Sequence, residues 1–421
     1  MKVLWITNIL FPEAESQLVT TGGLKSSGGW MLGAADALVK RGDVSLYVAS
    51  VSPLVDSLVK LRGKDIVYYI IPFGKGNLRE NSEYQDYWKI INSEICPDLV
   101  HIHGTEYSHG HAYMKACGSD NVVISIQGLK SACADYYHYG ISKKDIVKNI
   151  TLRDLLRGTI FKRQKDFRRS SVYEMDMLRM AKHVIGRTKW DRTRTWAINP
   201  EANYYFCNET LRSEFYDGSS WVYDKCRKHS IFLSQAGYPL KGLHQVLKAM
   251  PLILRNYPDA VIRVAGNDII STDSLVQKLK LTGYGKYIST LIKKYKLSDH
   301  IQFIGNLDAE QMKNEYLDSN VFICPSSLEN SPNSLGEAQI LGVPCVSSYV
   351  GGAVDMMKGN EDNLYRFEDT EMLAYTICKV FADEGRQVDM RDVGLRRHDP
   401  EANSEQLSNI YYAMLSINKH S

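Results

Sequence analysis

Residues 325–344 of the chain read PSSLENSPNSLGEAQILGVP. The apolar run before them, 321–324, predicts a buried strand, and 333–341 has the spacing of a helix. The Pro-, Ser- and Asn-rich turn between the two has free backbone N–H groups. Together with the helix N-terminus, it predicts a binding site for an anion such as a diphosphate. Glu329 lies in this turn and Glu337 lies one turn into the helix. Two carboxylates beside an anion site suit a phosphate that carries hydroxyl groups on both sides, as a nucleotide sugar does.

This arrangement resembles the E-x7-E motif of retaining GT-B glycosyltransferases, in particular glycosyltransferase family 4 (glycosyl transferases group 1). The Gly-Glu-Ala helix start and the following Gly-Val-Pro-Cys-Val strand belong to the same likeness. In that family the first Glu, matching Glu329, lies beside the transferred sugar and its departing phosphate. The second, matching Glu337, holds the ribose hydroxyls. Two solvated acids around an ordinary helix start are the alternative interpretation.

Short β-rich runs alternate with helical patterns along the chain, which is typical of α/β proteins with parallel sheets. The resemblance implies the GT-B form of this class: two Rossmann-like domains facing across a cleft, with a C-terminal helix that crosses back to the first domain. We expect an acceptor domain at 1–208, completed by a tail helix within 400–421, and a nucleotide-sugar donor domain at 209–399. The segment 268–296 is long for its place and is expected to hold two helices. The predicted strands are 2–6, 43–49, 66–71, 99–103, 122–126, 183–187, 203–206, 230–233, 260–265, 300–304, 321–324 and 344–347.

The composition is that of an ordinary folded protein, with 44% hydrophobic and 24% charged residues. No apolar run approaches the roughly 18 residues of a membrane span. The apolar start at 2–6 is followed by no small-residue cleavage site, so a first strand is predicted instead of a signal peptide. The eight Cys form no C-x-x-C pair, which argues against a zinc site and fits a reducing cytoplasm. We therefore predict a cytoplasmic protein.

Positive charge is concentrated in one segment, although the net charge of the chain is only +3. Residues 141–170 hold ten Lys or Arg against three Asp, interleaved with Leu and Phe residues. This pattern predicts an interfacial helix on anionic lipid, at the inner face of a membrane. A solvated helix face is the alternative. The segment carries no nucleic-acid-binding module, so no nucleic acid is expected as a partner.

Glycines follow the first strand at Gly22, Gly23, Gly28 and Gly29. They match the glycine loop that lies over the donor phosphate in family 4, and Gly29 is expected to contact the donor. Their spacing does not match the G-x-G-x-x-G dinucleotide pattern, which argues against a dehydrogenase.

Two polar residues follow strands of the first domain, where ligands of open α/β sheets bind. His103 ends the strand 99–103, and Gln127 comes directly after the strand 122–126. Family members often have His at the position of Gln127. An amide can hydrogen-bond to sugar hydroxyls but cannot carry a proton at neutral pH. We predict His103, Gln127 and Glu329 as the catalytic residues, with a local structural role as the alternative for His103.

Residues 234–243 resemble the family's G-R-x5-K-G segment, in which an Arg and a Lys neutralise the leaving diphosphate. Lys241 is present, but Gln235 stands at the position of the Arg, so one positive charge is missing. Arg187, Lys189 or Arg192 would be the substitutes. Gly266 and Gly305 follow two second-domain strands whose loops hold the nucleotide base in the family. The residues predicted to bind the donor are Gly29, Arg187, Gln235, Lys241, Gly266, Asn333, Ser334, Leu335 and Glu337.

The resemblance implies a retaining glycosyltransferase of the hexosyltransferase class, as in polysaccharide biosynthesis. It would move a sugar from a nucleotide diphosphate donor, UDP by family frequency, to a glycan or lipid-linked acceptor. No D-x-D follows a suitable strand, so we expect no metal, and no cofactor besides the nucleotide-sugar substrate. The alternatives are a GT-B nucleotide-sugar 2-epimerase, against which Gln127 argues, and a non-catalytic nucleotide-sugar-binding subunit, which the two Gln replacements favour.

Overall fold

The structure of the protein is a computed structural model that describes residues 1–19, 29–73, 82–386 and 389–418. The chain forms two compact units. The first contains Met1–Ser131, Arg169–Arg212 and His398–Ser421, and the second contains Ala132–Arg168 and Ser213–Arg397. The segment Ala132–Arg168 therefore belongs to the second unit, whereas our division at 208 assigned it to the first domain.

Both units consist of strands that alternate with helices, as the sequence pattern predicts. The strands in the described residues are β1 (Lys2–Thr7), β2 (Ser45–Ser52), β3 (Val59–Arg62), β4 (Val67–Pro72), β5 (Leu99–His103), β6 (Val122–Ser125), β7 (His183–Gly186), β8 (Asn203–Phe206), β9 (Arg227–Leu233), β10 (Val261–Val264), β11 (Ile301–Phe303), β12 (Ser319–Cys324), β13 (Cys345–Ser348) and β14 (Leu364–Tyr365).

The helices cover most of the segments between the strands. In the described residues they are α1 (Pro12–Leu18), α2 (Gly29–Lys40), α3 (Ser82–Ile95), α4 (Ser108–Cys117), α5 (Lys130–Tyr136), α6 (Lys143–Lys148), α7 (Leu152–Arg157), α8 (Ile160–Met180), α9 (Lys189–Ile198), α10 (Leu243–Asn256), α11 (Leu275–Lys280), α12 (Gly283–Tyr295), α13 (Ala309–Asp318), α14 (Asn333–Ile340), α15 (Ala353–Met356), α16 (Thr370–Ala382), α17 (Arg391–Arg397) and α18 (Pro400–Asn418).

The first unit is built on a sheet whose strand order is β3-β4-β2-β1-β5-β6-β7-β8. Strand β3 runs antiparallel to β4 at the edge, and the other pairs are parallel. The central strands β1 and β5 are almost entirely buried, because parallel sheets are covered by helices on both faces. The carboxyl ends of β5, β6 and β7 therefore present His103, Gln127 and Arg187 at one edge of this sheet.

The C-terminal helix α18 belongs to the first unit and packs on its core. Its Tyr411 hydroxyl accepts a hydrogen bond from Trp5 Nε1 at 2.9 Å and lies 2.6 Å from His101 Nδ1. The other ring nitrogen of His101 lies 2.6 Å from Ser125 Oγ. This buried polar chain connects the tail helix with β1, β5 and β6, and it confirms that the tail helix returns to the first domain.

The second unit is built on an all-parallel sheet with the strand order β11-β10-β9-β12-β13-β14. Strand β12 is buried along its whole length. Because β9 and β12 are neighbours, the loops after their carboxyl ends lie side by side. Helix α14 follows the loop after β12.

Hydrogen bonds explain why Ala132–Arg168 groups with the second unit. Ser327 Oγ donates to Tyr136 O at 2.9 Å, and Lys248 Nζ donates to Gly140 O at 2.8 Å. His244 Nε2 lies 3.0 Å from Tyr139 O. These contacts attach the segment to α10 and to the loop after β12.

We predicted one helix in the basic segment 141–170, and this prediction is wrong. The segment contains α6, α7 and the start of α8. Ser142 caps α6, and Thr151 forms a capping box with Asp154 at the start of α7. Gly158, with a φ of 106°, ends α7. The segment 268–296 does hold two helices, α11 and α12, as expected. Within the described part of the chain, no helix is both long and apolar enough to cross a membrane.

Candidate functional site

Lys241 and Glu329 meet at the carboxyl ends of β9 and β12. Lys241 Nζ lies 2.6 Å from Glu329 Oε1, and Ser326 Oγ donates to the same oxygen at 2.6 Å. The two charged side chains are only 16% and 14% exposed. Burial alone would lower the pKa of the Lys241 ammonium, but the Glu329 carboxylate outweighs it and raises this pKa. The result is a nearly buried ion pair.

The loops that carry this pair are fixed against each other at Gly242. Its φ of +72° is left-handed, and a Cβ added there would lie 1.7 Å from the carbonyl oxygen of Pro325. Next to this contact, the Ser327 N–H donates to Leu240 O at 2.8 Å. Only Gly permits so close an approach at this backbone conformation. The glycine after Lys241 therefore sets the distance between the lysine and the loop of Glu329.

A second glycine contact fixes the backbone of Glu329. A Cβ on Gly351 would lie 2.0 Å from the carbonyl oxygen of Glu329, and Gly352 N–H donates to that oxygen at 3.0 Å. The pair Gly351-Gly352 follows β13. The turn of Glu329 is thus held from two sides, by the loops after β9 and β13.

Helix α14 begins four residues after Glu329 with Asn333 and Ser334. The first N–H groups of a helix have no intrahelical partner and carry partial positive charge. The Leu335 N–H already donates to Pro332 O at 3.0 Å, so the amides of Asn333 and Ser334 fit the predicted anion site better than that of Leu335. Among the described residues, Asn333 Oδ1 is buried without a hydrogen-bond partner.

Glu337, the second acid of the motif, is buried inside α14, with 5% of the residue exposed. The Tyr316 hydroxyl lies 3.5 Å from its Oε2 and donates to Ser334 O at 3.0 Å. Tyr316 thereby connects the predicted ribose-binding acid with the first turn of the helix.

A cavity of about 1210 Å³ opens at the carboxyl ends of β9, β10 and β11. Gln235, Tyr238 and Gly266 line it, together with residues of α7 and α11. Gly266 N–H donates to Gly305 O at 2.7 Å, and neither glycine has an atom within 4 Å of an added Cβ. Lys241 Nζ lies 5.9 Å from the centre of the Tyr238 ring. The cavity therefore adjoins the ion pair through Tyr238, and the two predicted glycine turns open onto it.

In the first unit, His103, Gln127 and Arg187 surround a small cavity of about 50 Å³. Burial lowers the pKa of His103 to about 3, so its ring is neutral. Among the described residues, neither ring nitrogen of His103 has a hydrogen-bond partner. Arg187 donates to Gln127 Oε1 at 3.3 Å and forms an ion pair with Glu209. Arg187 was one candidate substitute for the Arg that Gln235 replaces. Its positive charge is already compensated by Glu209 within the first unit.

Glu106 is a titratable residue near this cluster that our sequence reasoning missed. Its Oε1 accepts a hydrogen bond from Gly128 N–H at 2.9 Å, directly after Gln127. Within the described ranges, its Oε2 is buried and has no hydrogen-bond partner. Burial raises the pKa of this carboxyl to about 7. Its position three residues after the strand-ending His103 was the available signal.

Gly29 is the first residue of α2. The other members of the predicted glycine loop, Gly22, Gly23 and Gly28, lie outside the described residues.

The two sheets with their strand orders, the returning tail helix and the glycine-fixed loops define the GT-B class of fold. Sucrose-phosphate synthase from Thermosynechococcus elongatus shares this fold with a TM-score of 0.68 and 17% identity, over 99% of both chains. The family model described as "Glycosyl transferases group 1" matches residues 224–397. The chain is similar to this family over that stretch, which contains Lys241, Glu329 and Glu337.

Curated relatives match shorter stretches. The "Putative glycosyltransferase YtcC" of Bacillus subtilis is 32% identical over 150 residues, which are 35% of each chain. The GDP-mannose-dependent monoacylated alpha-(1-6)-phosphatidylinositol monomannoside mannosyltransferase of Corynebacterium glutamicum is 26% identical over 184 residues. That match covers 41% of this chain and 44% of the relative. The chain thus aligns with less than half the length of these two relatives.

Proposed function

We propose that the protein transfers a hexose from a nucleotide diphosphate donor to a glycan or lipid-linked acceptor, with retention of anomeric configuration. The observation that carries the proposal is the buried Lys241–Glu329 pair beside the start of α14. A cation, a carboxylate and a helix N-terminus within one glycine-fixed turn suit a sugar attached to a diphosphate.

Charge balance explains how this pair would act. In the structure, Glu329 compensates Lys241, so the pair has no net charge. A bound diphosphate would offer Lys241 a stronger negative partner and release Glu329 to hydrogen-bond with hydroxyls of the sugar. As the bond between the anomeric carbon and the phosphate oxygen breaks, negative charge grows on the diphosphate, and Lys241 would stabilise it together with the amides of Asn333 and Ser334.

No protein nucleophile is required in this proposal. The acceptor oxygen attacks the anomeric carbon on the face that the diphosphate leaves, and its proton passes to a phosphate oxygen of the donor. His103 is held neutral by burial and Gln127 has an amide, so these two residues would hydrogen-bond to hydroxyl groups without acting as a general base. Lys241 would take up the leaving charge, and we propose that the transfer needs no divalent metal.

The cavity beside Gln235 and Gly266 would take the nucleoside, with Glu337 toward the ribose. UDP is our first choice of nucleotide, from the resemblance to family 4. GDP is the second, because the relative from Corynebacterium glutamicum is named for a GDP-mannose donor. That relative is also named for a phosphatidylinositol-linked acceptor, which supports the lipid-linked class of acceptor.

Thermal unfolding with UDP, GDP, ADP or CMP, with and without EDTA, tests the donor site. A ligand at about 100 times its dissociation constant adds about 2.7 kcal/mol to the free energy of unfolding. We expect one diphosphate to stabilise the protein regardless of EDTA, and to lose this effect in Lys241→Ala. Lys358→Ala, which removes an exposed lysine of the same unit, is the matched control. Stabilisation that needs a metal, or that survives Lys241→Ala, would contradict the proposed site.

Turnover separates transfer from mere binding. A radiolabelled donor of the nucleotide that stabilises the protein is incubated with wild type and with Glu329→Ala. We expect slow release of free sugar to water by the wild type and none by the variant. Stabilisation without any release, even with an added glycan acceptor mixture, would favour the non-catalytic nucleotide-sugar-binding protein.

A further inference from the structure

Two short helices of the second unit carry large apolar side chains that are more than half exposed to solvent. In α7 these are Leu152, Leu155 and Leu156, which are 59%, 71% and 78% exposed. In α11 they are Leu275, Val276 and Leu279, which are 78%, 57% and 61% exposed. We call these six residues the leucine face. Scattered apolar residues are normal on a protein surface, but six on two adjacent helices form a patch that calls for a partner.

The leucine face is a built surface, although its halves lie more than a hundred residues apart in the chain. Thr151 Oγ1 donates to Leu281 O at 2.9 Å, and Arg153 Nη1 donates to Lys280 O at 2.7 Å. These bonds join the start of α7 to the end of α11. Each helix is also stabilised at its own start by a capping box.

The charges around the leucine face are mainly positive. Arg157, Lys278 and Lys280 are exposed on the same two helices. The acid of α7, Asp154, is buried and accepts the Thr151 N–H at 3.1 Å. Before α11, Asp268 accepts backbone N–H groups of its own turn, and Asp273 accepts the hydroxyl of Ser271. Apolar side chains with flanking cations complement a surface that has an anionic outer layer over an apolar interior.

We propose that the leucine face docks the protein on a bilayer that contains anionic phospholipid. Insertion of the leucines removes apolar surface from water, and the cations contact the lipid phosphates. Neither the leucines nor the cations alone give stable attachment, because stable anchoring to a membrane takes two signals. The surface includes α11, so half of it lies outside the basic segment 141–170 on which the sequence hypothesis rested.

The leucine face also borders the large cavity. Leu152, Leu156, Val276 and Leu279 line that cavity beside Gln235 and Gly266. Docking would hold this donor cavity close to the lipid surface, where a lipid-linked acceptor would lie. This placement extends the proposed function and depends on it only for the identity of the acceptor. Docking itself requires no sugar transfer.

Co-sedimentation of the full chain with vesicles tests the proposal. One set of vesicles is pure phosphatidylcholine, and the other is phosphatidylcholine and phosphatidylglycerol in equal parts. We expect binding to the anionic vesicles and little to the neutral ones. Leu155→Ser with Leu275→Ser, two positions that do not line the cavity, should weaken the binding at least about tenfold. Lys278→Ser should weaken it about fivefold, from roughly 1 kcal/mol per cation.

Met372→Ser with Tyr375→Ser is the matched control, because these apolar residues are 40% and 67% exposed on α16 of the same unit. It should bind the vesicles as the wild type does. Absence of binding to anionic vesicles, equal binding to neutral ones, or unchanged binding of the two-leucine variant would overturn the proposal. So would a dimer of the wild type that the two-leucine variant dissociates, since the leucine face would then contact a second copy.

Diphosphate stabilisation, measured on the same variants, keeps the two proposals apart. A two-leucine variant that responds to diphosphate like the wild type but leaves the vesicles supports docking as a separate property. Vesicle binding by a protein that no diphosphate stabilises would sustain docking and count against the donor site.

Discussion

Replacing Glu329 by Gln should destabilise the second unit far more than removing both members of its ion pair. In Glu329→Gln the Lys241 ammonium stays 16% exposed and loses the carboxylate at 2.6 Å. Breaking a buried pair by removing one partner costs about 3–5 kcal/mol. We expect about 3 kcal/mol, the lower end, because the Ser326 hydroxyl remains beside the lysine and some water reaches it. In Glu329→Gln with Lys241→Met, no charge is left behind, and most of this loss should disappear.

Native-state hydrogen exchange measures this effect inside one unit. A loss of about 3 kcal/mol corresponds to roughly 100-fold faster opening, at about 1.4 kcal/mol per tenfold change. The faster exchange should appear in the amides of β9 and β12, which carry the pair. The amides of β1 and β5 in the first unit serve as the internal reference. Glu361→Gln, at an exposed position of the second unit, is the control substitution and should leave both sets unchanged.

Two results would refute the reasoning about this pair. One is exchange of β9 and β12 in Glu329→Gln within threefold of the wild type. The other is a double variant as unstable as the single one, which would show that the loss comes from the glutamate's own packing and not from the uncompensated lysine.

Three further outcomes follow from other contacts. Gly242→Ala places a Cβ 1.7 Å from Pro325 O, so it should lower the free energy of unfolding by more than about 4 kcal/mol and abolish stabilisation by diphosphate. Gly237→Ala, whose added Cβ would have no atom within 4 Å, should do neither. Equal melting temperatures of the two variants would contradict this prediction. Gln235→Arg restores the missing cation and should tighten diphosphate binding about tenfold in calorimetry. Unchanged affinity would show that the diphosphate does not bind near residue 235. Glu106 has a raised folded-state pKa of about 7, so the wild type should lose stability as pH rises from about 4.5 through 7. Urea unfolding of Glu106→Gln should not show this loss, which is about 3 kcal/mol of unfolding free energy in the wild type. Parallel plots of unfolding free energy against pH for the two proteins would disprove the prediction.

Periodicity predicted most strands of both sheets, because buried parallel strands are continuous apolar runs. The sequence did not reveal β3, whose Val-Lys-Leu-Arg alternates as an edge strand does, or β14, which has only two residues. The apolar spacing of 141–170 predicts one helix, but Thr151 caps the start of α7 and Gly158 ends it, so the segment is divided. Its attachment to the second unit rests on hydrogen bonds and ring contacts with residues distant in the sequence, which no local pattern encodes.

The candidate site was predicted in part. The motif located Lys241 and Glu329 separately, through roles known from the family, but their direct contact depends on the neighbouring positions of β9 and β12. The function of Gly242 and Gly351 as spacers was likewise invisible, because it depends on which carbonyl each glycine faces. Glu106 was missed because its raised pKa comes from burial, a property of the folded first unit.

The hydrogen bond between Trp5 and Tyr411 joins residues 406 positions apart. During synthesis at about 5–20 residues per second, β1 leaves the ribosome on the order of tens of seconds before its partner helix exists. The core around Trp5 therefore remains open on one side until the chain has been synthesised through α18. A nascent chain with such a gap has a long interval in which a chaperone can bind it, and the first unit should become resistant to protease only after the second unit has done so.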